Sequence, residues 1–220
     1  MLVKEIKLLL IKDLKLELKQ SYTINSILLY AFSTVFISYL SLNGTIDAGT
    51  WNALFWIILL FTSINAVVKS FVQESPARHL YYYTLTSPQA VILSKIIYNS
   101  LLMLIITTLS FAFYLFYLEN HVANWGLYLV TLIAGSLGFA SLLTMVSAIS
   151  SRSNNNFGLM AILSFPIILP MLMTIIKVSK MALIGGNYSA SAWNYIGVLA
   201  LLNLIVIIMA YLLFPYLWRD

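Results

Sequence analysis

Cysteine is missing altogether from this sequence. Its absence excludes a disulfide framework, a Cys-based metal site and thiol redox chemistry. Charge is scarce as well: Asp, Glu, Lys and Arg make up 9% of the 220 residues, against about 25% in soluble domains. Histidine occurs only at His79 and His121. These lie at membrane boundaries on opposite sides and cannot share a site, so each reads first as a solvated edge residue. No GxxxxGK[ST] loop is present, so the chain does not itself cradle ATP phosphates. HExxH and EF-hand patterns are missing too. The apolar segments hold almost no ionisable groups at mid-depth, which argues against an ion-coupled carrier. It argues equally against an intramembrane hydrolase, which needs a nucleophile with a base or a metal.

What fills the sequence instead is apolar: 61% of residues, with a mean hydropathy of +0.94. No water-soluble core of this size buries so much, so the solvent is lipid. A helix needs about 20 apolar residues to cross the hydrocarbon. Six stretches qualify: Tyr22–Leu42, Trp51–Val68, Ala90–Leu118, Trp125–Ile149, Phe157–Ile176 and Trp193–Leu213. The third is longer than the bilayer is thick, so it should tilt or project. Trp51, Trp125 and Trp193 each open an even-numbered span, as an aromatic belt at one interface predicts. Charges recurring through "MLVKEIKLLLIKDLKLELKQ" do not fit a cleavable signal peptide.

The basic residues set the orientation. Lys4, Lys7, Lys12, Lys15, Lys19, Lys69, Arg78, Lys95, Arg152 and Arg219 fall on one side, and Lys177 and Lys180 on the other. Both termini should therefore face the cytoplasm. This distribution suits an anionic membrane face and not nucleic acid. Lys95, one turn inside its span, is expected to snorkel outward. Residues 1–20 place Lys12, Lys15 and Lys19 on one helical face and Leu2, Ile6, Leu9 and Leu10 on the other, which predicts an interfacial amphipathic helix on the cytoplasmic leaflet. "KDLKLELK" also alternates with period two, but a lone strand at a membrane surface would leave its backbone unpaired.

Polar groups concentrate in the 69–89 loop, which is too long for a tight turn. It holds Gln73, Glu74, Arg78, His79 and three consecutive tyrosines. Ser75 with Pro76, and Ser87 with Pro88, are candidate N-cap and first-turn pairs. Two readings stay open on the residues alone: a short helix that receives a push from a soluble motor, or a loop whose tyrosines lie in the headgroups. In the fourth span, Ala134, Gly135, Gly138, Ser141, Ser147 and Ser151 allow close helix approach, within one subunit or between two. In the fifth, Pro166 and Pro170 should kink or unwind the helix, as a static bend or a hinge. The following "KVSKMALIGGNYSASA" is long for a turn, and its Met181–Ile184 core is expected to dip into the outer leaflet.

Taken in order, these features resemble the CcmB family, the membrane subunit of the cytochrome c maturation ABC exporter (haem exporter protein B). The likeness is densest in "SPQAVILSKIIYN" and in "GSLGFASLLTMVSAISSRSNNNFGLMAILSFPIILP". Ser87, Pro88, Lys95, Gly135, Gly138, Arg152, Pro166 and Pro170 carry it. The resemblance implies a single six-span ABC-2 type permease domain in the bacterial inner membrane. It implies a separate ATPase chain, CcmA, and the haem-handling partners CcmC and CcmD. It also implies that ATP hydrolysis releases the haem-loaded chaperone CcmE. Where many relatives have an acidic–Gly–Leu–acidic run before the Ser-Pro, this chain has Arg78, His79 and the tyrosines.

Gln73, Glu74, Arg78, His79, Ser87 and Pro88 are then the expected ATPase-coupling residues, with the element spanning Glu74 to Pro88. The chain itself is expected to be no enzyme and to bind no metal. No residue is assigned as a haem ligand, since the Met and Tyr side chains are spread through the spans; haem and ATP belong to the assembled complex. Two alternatives fit the residues as well: an ABC-2 permease for a lipid or polyketide, and a non-transporting scaffold for haem-handling partners.

Overall fold

The structure, a computed structural model, describes residues 2–19, 22–42, 46–72, 86–150, 157–185 and 189–219. These residues form seven helices and no strand: α1 (Leu2–Lys19), α2 (Tyr22–Ser41), α3 (Ala48–Val72), α4 (Pro88–Tyr117), α5 (Trp125–Ser150), α6 (Phe157–Ile184) and α7 (Ser189–Arg219). The last six are each long and apolar enough to cross a membrane. The chain is an all-α, multi-pass membrane protein. Residues 2–19 are helical despite their period-two stretch, because a helix satisfies its own backbone.

α5 is the centre of the bundle, packing against α3, α4, α6 and α7. It is also the most buried span, whereas α2 and α7 turn most of their surface outward. Its glycines explain the closeness. A Cβ on Gly135 would stand 2.9 Å from the Trp56 ring of α3 and 3.3 Å from Ile175 Cδ1 of α6. A Cβ on Gly138 would collide with the end of the Met171 side chain and lie 2.6 Å from Asn203 Oδ1 of α7. With no lipid-excluding hydrophobic force between spans, this contact is dispersion plus a few hydrogen bonds. Asn203 donates to the Ala134 carbonyl at 3.1 Å, and Asn99 to Thr144 Oγ1 at 2.9 Å. Ser141 is buried and donates within its own helix, to the Gly138 carbonyl.

At the end of the bundle that the charge count puts outside, called the outer end, helices are capped by side chains from the loops. Asp47 accepts from the Thr50 N–H at 3.0 Å and the Thr50 hydroxyl at 2.6 Å, heading α3. Asn124 Oδ1 accepts from the Leu127 N–H at 3.1 Å, heading α5. The backbone N–H of Asn124 donates across to the Ala182 carbonyl of α6 at 2.8 Å.

α6 departs from expectation. It continues to Ile184, so Met181–Ile184 is the last turn of a helix and not a dipping loop. No breaker interrupts residues 177–184, and the stop comes at Gly185, whose φ of 61° is left-handed. Lys177 and Lys180 therefore sit on the outer turns of the span, with the Lys177 ammonium 4.4 Å above the Tyr195 ring. Pro166 and Pro170 lie inside the same helix without unwinding it. Both are exposed. In lipid an opened turn has no water to satisfy it, so a helix tolerates the lost donors. The Thr174 hydroxyl adds a bond to the Pro170 carbonyl at 2.8 Å.

Candidate functional site

By the charge count, the inner end of the bundle is the one that holds Ser87 and Ser150. Of the six expected coupling residues, Ser87 and Pro88 lie within the described residues. Gln73, Glu74, Arg78 and His79 lie outside them, as does Arg152. Ser87 stands at the N-cap of α4 with extended backbone (φ −74°, ψ 141°), and Pro88 opens the helix. An N-cap serine usually turns its hydroxyl onto its own helix, but Ser87 does not. Its N–H and its hydroxyl both donate to Glu5 Oε2 of α1, at 3.1 and 2.8 Å. These two bonds, the backbone one first, hold the Glu5 carboxyl below the usual carboxylate range. The carboxylate also meets the positive end of α4.

Two more contacts continue along α4. Lys95 is buried and does not snorkel as expected; its ammonium lies 3.4 Å from Asp13 Oδ2, and Asp13 Oδ1 is 2.9 Å from the Lys12 ammonium. The Tyr98 hydroxyl donates to Glu17 Oε2 at 2.8 Å, both residues buried. Burial strips most of the water from Lys95, and the Asp13 carboxylate lies beside its charge. Removing one member of such a pair strands the other, at about 3–5 kcal/mol.

The sequence reading missed these acids. It sorted α1 into lysines and leucines, yet Glu5, Asp13 and Glu17 share the inward face with Ile6, Leu9 and Leu10. The signal was available: the three are eight and four residues apart, on one side of a helix, while Lys4, Lys7, Lys15 and Lys19 are exposed on the other. The amphipathic face expected to meet lipid packs on α4 instead.

At the outer end, aromatic rings from three spans meet. Trp51 is fully buried, so it is no belt residue, whereas Trp125 and Trp193 are exposed. Its ring lies 5.0 Å from Tyr114, 5.9 Å from Tyr128 and 5.9 Å from His121. The Tyr114 hydroxyl donates to the Trp51 carbonyl at 2.8 Å. His121 is half-buried against this cluster and not simply solvated.

Among the described residues, no group of three His, Cys, Asp or Glu side chains could hold a metal ion. What the geometry offers chemically is mechanical: a charged splice between α1 and α4 at one end, and close-packed rings at the other. The family model described as "CcmB protein" matches residues 4–215, nearly the whole chain. No curated protein matches it.

Proposed function

The chain belongs to the CcmB family, and from that premise we propose that it is the permease subunit of an ABC-type complex serving haem delivery in cytochrome c maturation. Its place is the bacterial inner membrane, with both termini in the cytoplasm. Its partners are a CcmA-like ATPase, CcmC- and CcmD-like haem-handling proteins and a CcmE-like chaperone. ATP is hydrolysed on the ATPase chain, and the loop element from Glu74 to Pro88 receives the resulting motion. Gln73, Glu74, Arg78 and His79 are the side chains proposed to meet the ATPase, while Ser87 and Pro88 pass the displacement into α4. Pro166 and Pro170 provide a kink or hinge in α6. Gly135, Gly138 and Ser141 keep α5 close to its neighbours while that happens.

The observation that carries this reading is the family match over residues 4–215 on a body of six apolar spans. The test is complementation in a bacterium lacking its own CcmB-type subunit, read as haem-stained c-type cytochrome. The wild-type chain should restore it only beside an ATPase with intact catalytic residues. Glu74→Lys or Arg78→Glu should weaken pull-down of the ATPase and lower the yield. Equal yield beside a catalytically dead ATPase would instead make the chain a scaffold.

A further inference from the structure

Only seven residues in the chain are acidic. Three of them, Glu5, Asp13 and Glu17, lie on α1, and every one reaches α4. The pairs are Glu5 with Ser87, Asp13 with Lys95 and Glu17 with Tyr98, separated in sequence by 82, 82 and 81 residues. Equal offsets mean that the two helices run side by side in the same direction. Helices that crossed at one point would keep a single contact and lose the others. The offset continues upward: Phe32 stacks on Phe113 at 4.3 Å and Phe36 meets Tyr117 at 5.5 Å, 81 residues apart in both cases (113 − 32 and 117 − 36). α1 and then α2 thus accompany α4 along its length.

Asp13, Glu17, Lys95 and Tyr98 are exposed by only 5, 8, 5 and 4%. Surface ion pairs exchange with water at little cost, whereas buried ones do not. Glu5 closes the series at Ser87, the residue at which the chain enters α4. A displacement arriving at Ser87 therefore acts on α1 as well as on α4.

We propose that α1 is a splint for the inner third of α4, with Glu5, Asp13 and Glu17 as positioning residues that make the two helices move as one body. These carboxylates face the chain's own α4, so they do not serve as a docking surface for another protein. The splint rests on the reading of the chain as a driven permease.

The lack of cysteine gives a clean background for spin labels. In the assembled complex with its ATPase, labels at Lys7→Cys and Gln89→Cys report the α1–α4 distance. Labels at Lys7→Cys and Asn194→Cys report α1 against the outer end of α7, a helix outside the splinted pair. With ATP added, the first distance should hold and the second should change. A first distance that lengthens with ATP overturns the splint while leaving the driven permease in place. If neither distance responds, the driven reading falls and the splint falls with it.

A charge exchange tests the positioning residues themselves, with membrane levels of the chain matched. Asp13→Lys and Lys95→Asp should each broaden the Lys7–Gln89 distance and cut cytochrome c yield at least severalfold. The double exchange should restore both. Unchanged distance and yield in the single exchanges, or no recovery in the double, would overturn the role.

Discussion

Gly135→Ala adds one methyl group where α5 packs tightly on α3 and α6. Its Cβ would stand 2.9 Å from two carbons of the Trp56 ring and 3.3 Å from Ile175 Cδ1. Carbon atoms prefer about 3.5–4.0 Å, so the indole must retreat by roughly 0.6–1 Å. Little room exists for that. Trp56 is fully buried, and its ring N–H donates to Ser179 Oγ at 3.0 Å, which also accepts from Asn52 at 2.9 Å. Overpacking costs about 1–3 kcal/mol and a weakened hydrogen bond about 1 more, against about 1 kcal/mol gained from alanine's helix propensity. The net is destabilisation by about 1–3 kcal/mol, or roughly 3–10 °C in the melting temperature of a chain this long. Thermal unfolding of the detergent-solubilised protein would measure it. Trp56→Phe removes the two clashing ring carbons, so Gly135→Ala should cost at least about 1 kcal/mol less in that background. Equal costs in both backgrounds, or a Gly135→Ala protein as stable as wild type, would refute this account of α5 packing.

Two further outcomes follow from the ends of the helices. Gly185→Ala places a side chain at φ 61° and its Cβ 2.6 Å from Ala123 Cβ, so it should destabilise by about 1–3 kcal/mol, measured by the same thermal assay. Glu5 has its folded-state pKa lowered by the Ser87 N–H and hydroxyl, so its contribution is complete above the ordinary carboxylate range and is lost as the pH falls through the folded value. The Lys7–Gln89 label distance should therefore hold from pH 7 to 5 and broaden only below about pH 4. The step should shrink in Glu5→Gln.

The spans were legible because lipid imposes a coarse rule: about twenty apolar residues in a row, whatever their order. That rule placed Tyr22, Trp125 and Phe157 at the first residue of their helices. It failed at the end of α6, where Lys177 and Lys180 looked like a loop. Long stems let a lysine stay within a helix and still reach the surface, so charge alone does not end a span. Trp51 shows a second limit. A tryptophan heading a span serves a membrane belt or a protein core equally well, and only Tyr114 and Tyr128, from two other helices, decide which. The inner site was legible in part. Ser87 and Pro88 announced a helix start by type and spacing. Asp13 and Lys95 did not announce each other, because pairing across 82 residues depends on how helices align and leaves no local pattern.

The two ends of the bundle are held by forces with different reach. Ring contacts at the outer end depend on van der Waals distances and fall away within about an ångström of displacement. The Tyr114 and Asn124 hydrogen bonds, at 2.8 Å, are equally short-ranged. Attraction between Lys95 and Asp13 falls only as the inverse of distance, and more steeply only where water enters. The Lys95–Asp13 pair can therefore shift by an ångström or two and keep most of its attraction, while the Glu5 and Glu17 bonds beside it, at 2.8 Å, keep the two helices in register. An end held by packed rings must either stay or come apart. Three of the seven acids of the sequence lie at the end held by charge, on the helix beside the entrance to α4.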